Sequence, residues 1–107
     1  MKEHFIRLPL TVKRDVLVVE KECTLVKMFV KAGTYPPIHT HPQDQIDYMI
    51  NGAADVIIEG VVTHVKQGEA IHIPGGAEHA FLTSDEDQEF LEFFTPGRED
   101  AEMMHQD

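Results

Sequence analysis

His39 and His41 are separated by a single residue. On an extended strand that spacing turns both imidazoles to one face, within reach of one ion. Imidazole is the commonest metal-ligating side chain, yet a pair of histidines also occurs in cores and on surfaces, so the frame around the pair has to decide. Gly33 lies six residues before His39, Gln45 lies four after His41, and Gly52 follows Gln45 by seven. Downstream, Gly68, Pro74, Gly76 and His79 repeat the idea: glycine for a turn, proline to fix a strand end, a second glycine, then a histidine. His72 sits between Ile71 and Ile73, and strand alternation turns it to the opposite face, in a structural or pocket-lining role. His4, His64 and His105 carry no such frame and are expected in solvent.

The elements that must position these residues are short. Apolar residues fall in runs of strand length, not in long helical stripes. Val16 to Glu20 and Leu25 to Val30 are rich in β-branched and aromatic residues and flank a polar Lys21-Glu22, which predicts a hairpin. Further strands are expected at Ile46 to Ile50, Asp55 to Ile58, Val61 to Val65, Ala70 to Ile73, His79 to Thr83 and Phe90 to Thr95. Turn chemistry punctuates them at Ala32-Gly33, Asn51-Gly52, Glu59-Gly60, Gln67-Gly68, Pro74-Gly75-Gly76 and Pro96-Gly97. Strands at this spacing point to an all-β sandwich or barrel. Arg98 to Gln106 fits either a short C-terminal helix or a frayed tail, and helix propensity does not decide over so short a stretch.

A chain of 107 residues closes one core, so a single domain over residues 1–107 is expected. Its formal charge of −10 opposes binding to the phosphate backbone of nucleic acid or to an anionic membrane surface. Cys23 is the only cysteine and forms no intrachain disulfide, and no early apolar run with a cleavage site marks secretion. These features make a cytoplasmic location the expectation. From Ser84 onward nine carboxylates face one arginine, Arg98, so most of the net charge gathers there. A solvated face is the ordinary meaning of such a run.

The two histidine frames resemble the paired motifs of the cupin superfamily: G-x5-H-x-H-x3-Q-x6-G over Gly33 to Gly52, and G-x5-P-x-G-x2-H over Gly68 to His79. The resemblance implies a double-stranded β-helix, a small jelly-roll barrel holding one divalent transition metal ion, with His39, His41, Gln45 and His79 as its ligands. Imidazole and amide donors suit Zn, Ni, Fe, Co or Mn. The usual fourth ligand of the superfamily is Glu, whereas this chain has Gln45. A neutral amide oxygen leaves more positive charge on the ion, which favours Lewis-acid work over oxygen chemistry.

The last strand resembles a narrower group. Glu92-Phe93-Phe94-Thr95-Pro96-Gly97-Arg98-Glu99-Asp100 is similar to the F-T-P-x-R-E-D signature of the small KdgF-type cupins, and His41-Pro42 with Gln45-Ile46 and Tyr48 matches their H-P-x-x-Q-I-x-Y run. That group takes unsaturated uronates left by pectin or alginate lyases toward the linear keto form. Its acid, phenylalanine and arginine fall here on Glu92, Phe94 and Arg98. The acid is typically Asp in that group, and small polar residues such as Thr are expected where Asp47 stands. Asp47 shares a face with Gln45 by alternation.

The residues also suggest a site by themselves. Phe90, Glu92 and Phe94 alternate onto one face, placing a carboxyl between two rings, where desolvation favours its neutral, proton-donating form. Glu92 could equally stand at a barrel mouth or pair with Arg98. Arg98 follows a Pro-Gly turn and could hold a substrate carboxylate bidentately, or pair with Glu99 or Asp100. The leading expectation is an enzyme acting on a small anionic, sugar-like substrate. A metal-dependent dioxygenase and a non-catalytic sugar-binding cupin are its rivals. Leu91 and Phe93 oppose the Phe90, Glu92, Phe94 set, so both faces of that strand are apolar and a homodimer is expected.

Overall fold

The computed structural model describes residues 6–8, 11–34, 37–82, 84–98 and 104–106, the first and last of these stretches as backbone. The chain runs through β1 (Ile6–Leu8), β2 (Val12–Val19), β3 (Thr24–Val30), β4 (Asp44–Asn51), β5 (Ala53–Ile58), β6 (Val61–Lys66), β7 (Ala70–Ile73), β8 (His79–Phe81), β9 (Gln88–Thr95) and β10 (Met104–Gln106). Two antiparallel sheets carry the core, one of five strands in the order β2-β3-β9-β4-β7 and one of three in the order β6-β5-β8. This is the double-stranded β-helix that the motifs imply. β1 and β10 pair in parallel as a separate two-stranded sheet.

Alternation builds the core. β3 places Val26, Met28 and Val30 inward, and its partner β9 places Phe90 and Phe94 on the same face. Met49 and Ile73 extend that face across β4 and β7, while Ala54, Val56 and Val65 come from the facing sheet. Burying a side chain of the size of Met49 or Phe90 contributes about 1.5–3 kcal/mol each. The hairpin between β5 and β6 turns through Glu59 and Gly60, with φ of 47° and 82°. A two-residue turn with both φ positive matches the right-handed twist of the strands it joins, and glycine takes that geometry without steric cost.

The expected strands are present, with ends moved by a few residues, and the predicted hairpin is the β2–β3 pair. The C-terminal helix alternative is corrected: residues 104–106 form strand β10, and the described residues contain no helix. Residues 99–103 lie outside the described residues, as does His4. Strand β10 forms because a parallel partner, β1, is brought alongside it, a pairing between distant segments that local propensity does not encode. No helix among the described residues is long and apolar enough to cross a membrane.

Candidate metal centre

His39 stands on an extended segment before β4, and His79 opens β8. The two are locked backbone to backbone: His39 N donates to His79 O and His79 N to His39 O, each at 3.0 Å. The Pro74 to His79 turn is sewn to the same segment, since Gly76 N donates to His41 O at 2.8 Å and Gly75 N to Asp44 Oδ1 at 2.7 Å. A Cβ on Gly75 would collide with the Pro42 carbonyl oxygen, so this approach requires glycine. The two glycine-histidine frames of the sequence therefore meet in space.

One ring nitrogen of each of His39, His41 and His79 lies within 4.8 Å of the others. Their orientations have a common cause. His39 Nδ1 is 3.1 Å from Pro37 O, His41 Nδ1 is 3.0 Å from Gln43 O, and His79 Nδ1 is 2.9 Å from Ala77 O. A carbonyl oxygen only accepts, so each Nδ1 donates, and in the neutral ring each Nε2 keeps its lone pair. His79 Nε2 is buried and has no hydrogen-bond partner. His41 Nε2 lies 2.9 Å from Gln45 Oε1, which is also an acceptor.

Two acceptors at that distance need a cation between them. A second proton on His41 is one candidate, but burial, together with the charges of Arg98 and His39, lowers its pKa below the ordinary 6.5, despite hydrogen bonds that favour the charged ring. Burial lowers His79 as well, reinforced by the His39, His41 and Arg98 charges. Neutral imidazoles with converging lone pairs, completed by an amide oxygen, fit a divalent transition metal ion. His39, His41, His79 and Gln45 are the residues that would hold it.

The amide of Gln45 faces the other way as well. Its Nε2 donates to Asp47 Oδ1 at 2.9 Å and Oδ2 at 3.0 Å, and to Glu92 Oε2 at 3.3 Å. Asp47 and Glu92 are directly opposite on β4 and β9. Burial raises the Asp47 carboxyl well above its ordinary range, and the neighbouring Glu92 raises it further. Burial also raises Glu92, against the pull of Arg14 and Arg98. Glu92 lies between the buried Phe90 and Phe94 on the inner face of β9, as alternation predicts.

Phe94 presents its ring to His41 at 5.4 Å between centroids, and Arg98 Cζ sits 5.1 Å from the Phe94 centroid. The backbone holds Arg98 there: its N donates to the buried Thr24 Oγ1 at 2.8 Å, and Gly97 N donates to Lys21 O at 2.9 Å. A Cβ on Gly97 would strike the Glu20 carbonyl oxygen, which explains the glycine in the turn after β9. The structure thus brings the histidines, Gln45, Glu92, Phe94 and Arg98 to one end of the barrel, with His41 and His79 buried and His39 exposed.

Asp47 is the site residue that sequence reasoning did not select, although alternation put it on the Gln45 face. The pocket-lining reading of His72 is corrected: it is exposed and its Nε2 lies 3.3 Å from Asp44 Oδ2, because β7 turns only Ile71 and Ile73 inward. His64 is exposed as expected, beside Asp55 at 2.7 Å. The side chain of His105 lies outside the described residues.

The family model for the cupin domain matches residues 26–95. The chain belongs to the cupin family. Among curated relatives, an uncharacterised protein of Streptomyces coelicolor is 31% identical over 65 residues, covering 61% of this chain and 62% of that protein. The pectin degradation protein KdgF of Dickeya dadantii is 27% identical over 90 residues, covering 83% of this cupin and 82% of the relative. Two further curated relatives are matched over only 29% and 27% of their own length. The solved structure of KdgF from a Halomonas species superposes with a TM-score of 0.80 at 24% identity, covering 87% of this chain and 86% of that one. At that identity the superposition shows the shared fold.

Proposed function

We propose that this cupin is a metal-dependent enzyme that converts a 4,5-unsaturated uronate to its linear keto form. The observation that carries the reading is the convergence of the three histidines and Gln45 with Glu92, Phe94 and Arg98 at one end of the barrel. The similarity to a pectin degradation protein over most of both chains supports the substrate class.

The reaction is an isomerisation. The bond between the anomeric carbon and the ring oxygen breaks, the anomeric hydroxyl loses its proton to become an aldehyde, and the released enol becomes a ketone by gaining a proton at carbon and losing one from oxygen. A bound divalent ion supplies Lewis acidity toward a ring or carbonyl oxygen. Glu92, kept protonated more readily than a solvated acid by its burial, carries the proton between those positions. Arg98, whose guanidinium carbon sits 5.1 Å from the centre of the Phe94 ring, receives the uronate carboxylate. Phe94 walls the site and keeps water from the acid.

The test is to add the zinc-, nickel- or manganese-loaded protein to unsaturated galacturonate and follow loss of the enol ether absorbance. Acceleration over buffer that falls by about 10²–10⁴-fold in Glu92→Ala is expected. No acceleration with any of these ions would sink the reading.

The proposal includes a homodimer. Ile46 pairs with Phe93 and Phe93 with Leu25 on the outer face of the five-stranded sheet, and Ile46 and Phe93 are 45% and 36% exposed. An apolar row on a sheet's outer face is best covered by the same row of a second copy. Sedimentation at micromolar concentration should give the mass of two chains, and a purely monomeric species would remove this part.

A further inference from the structure

We infer that Asp47 is a positioning residue whose work is to fix the Gln45 amide with its oxygen, not its nitrogen, facing the three histidines. The inference rests on the reading of Gln45 as a metal ligand and adds a residue to it.

An amide ligand has a difficulty that a carboxylate does not. The two ends of a glutamine side chain are nearly the same shape, and only the oxygen end can donate a lone pair to a cation. Rotation by half a turn about the last bond would present an NH2 group to the histidines. Something must therefore make one rotamer far better than the other, and the histidines cannot, because without an ion the His41 Nε2 lone pair favours the NH2 end.

The groups behind Gln45 supply the preference. Nε2 lies within 3.0 Å of both Asp47 oxygens and 3.3 Å of Glu92 Oε2. Turning the amide over would set its oxygen against those carboxyl oxygens in a buried setting, where an unpaired acceptor costs about 1–3 kcal/mol. Asp47 is 2% exposed, so no bulk water can offset that cost. It is also rigidly placed, since β4 pairs with β7 on one side and β9 on the other through this position. Glu92 has the longer contact and the proposed task of moving a proton, which leaves Asp47 as the constant acceptor.

The arrangement also accounts for two residues at once. Where a carboxylate is the ligand, a second buried acid behind it would repel it. Where an amide is the ligand, the acid behind it is an asset. Gln45 and Asp47 are thus a matched pair, and each makes sense of the other.

The experiment crosses the two positions and reads metal affinity by calorimetric titration with Zn2+, together with the visible spectrum of the Co2+ form. In the Gln45 background, Asp47→Leu should weaken Zn2+ binding by about 10- to 100-fold and shift the Co2+ bands. In the Gln45→Glu background, whose ligand has two equivalent oxygens, the same substitution should leave affinity unchanged or tighten it. An equal loss in both backgrounds would assign Asp47 to packing alone and overturn the inference, as would no loss in either. Should Asp47→Leu fail to fold, Asp47→Asn serves: it should tighten binding in the Gln45→Glu background, where its NH2 can donate to the new carboxylate, and should not in the parent. The same change in both would again overturn the inference. If no Zn2+ binds to the parent protein, the ligand reading of Gln45 fails first, and the two failures are separable.

Discussion

The inner face of β4 and β9 contains two regions built on the same backbone plan. At one end Met49 stands opposite Phe90, and both are buried to within 2% of complete exclusion from solvent. Two residues along, Asp47 stands opposite Glu92, and two further Gln45 stands opposite Phe94. The register does not change between Gln45 and Met49, Gln45 and Asp47 are as buried as Met49 while Glu92 is half-buried, and the chemistry changes completely. The apolar end follows the usual economy of a sheet: side chains leave water, and dispersion contacts replace hydration. The polar end places the Gln45 amide and the Asp47 carboxyl in the same dry layer with the half-buried Glu92 beside them, where they must satisfy one another or be neutralised. The barrel is stabilised at one end so that an unfavourable group of residues can be held at the other.

Two substitutions break this comparison in opposite directions. His79→Ala should abolish the rise in melting temperature that Zn2+ gives the parent, because it deletes a buried nitrogen aimed at the other two rings. Met49→Ala should cost about 2–5 kcal/mol of folding stability, a large share of what a domain of this size has, while leaving Zn2+ affinity of the folded protein unmoved. Chemical unfolding with and without Zn2+ checks both. If Met49→Ala also weakened Zn2+ binding tenfold, the two ends would be mechanically one region.

The sequence disclosed the apolar end and the frame of the polar end for different reasons. Alternation in Phe90 to Thr95 put Phe90, Glu92 and Phe94 on one face because a strand's period of two is written locally, and the β-branched and aromatic run of Leu25 to Val30 marked a strand. Glycine at 33, 52, 68 and 76 marked turns because each has positive φ, a demand few other residues meet. The cross-strand meeting of Asp47 and Glu92 was hidden, since it depends on a pairing between segments over forty residues apart. So did the parallel β1–β10 pair, whose three-residue strands are too short to show a period. His72 shows the limit of alternation: it gave the face correctly and left open whether that face was lined or bare.

The Asp47–Glu92 pair offers a smaller, sharper test through pH. Burial raises Asp47 above its ordinary 3.8, so the folded chain holds that proton at pH values where the unfolded chain has released it. Stability from this group is therefore complete below 3.8 and is lost as pH rises through the folded value. His41 and His79 act in the opposite sense. Their pKa values are lowered from 6.5, so their contribution is present above 6.5 and is lost as pH falls. A single melting curve would mix the two slopes. The difference between the metal-free parent and metal-free Asp47→Asn cancels the histidines, which both proteins share, and reports the Asp47–Glu92 pair. As pH falls toward 4 through the raised folded value, the parent should gain stability relative to the variant; above that value Asp47 is the carboxylate that accepts from Gln45. A flat difference down to pH 4 would mean that Asp47 stays ionised beside Glu92 throughout, the charge of the pair being offset by Arg14 and Arg98, which act on Glu92.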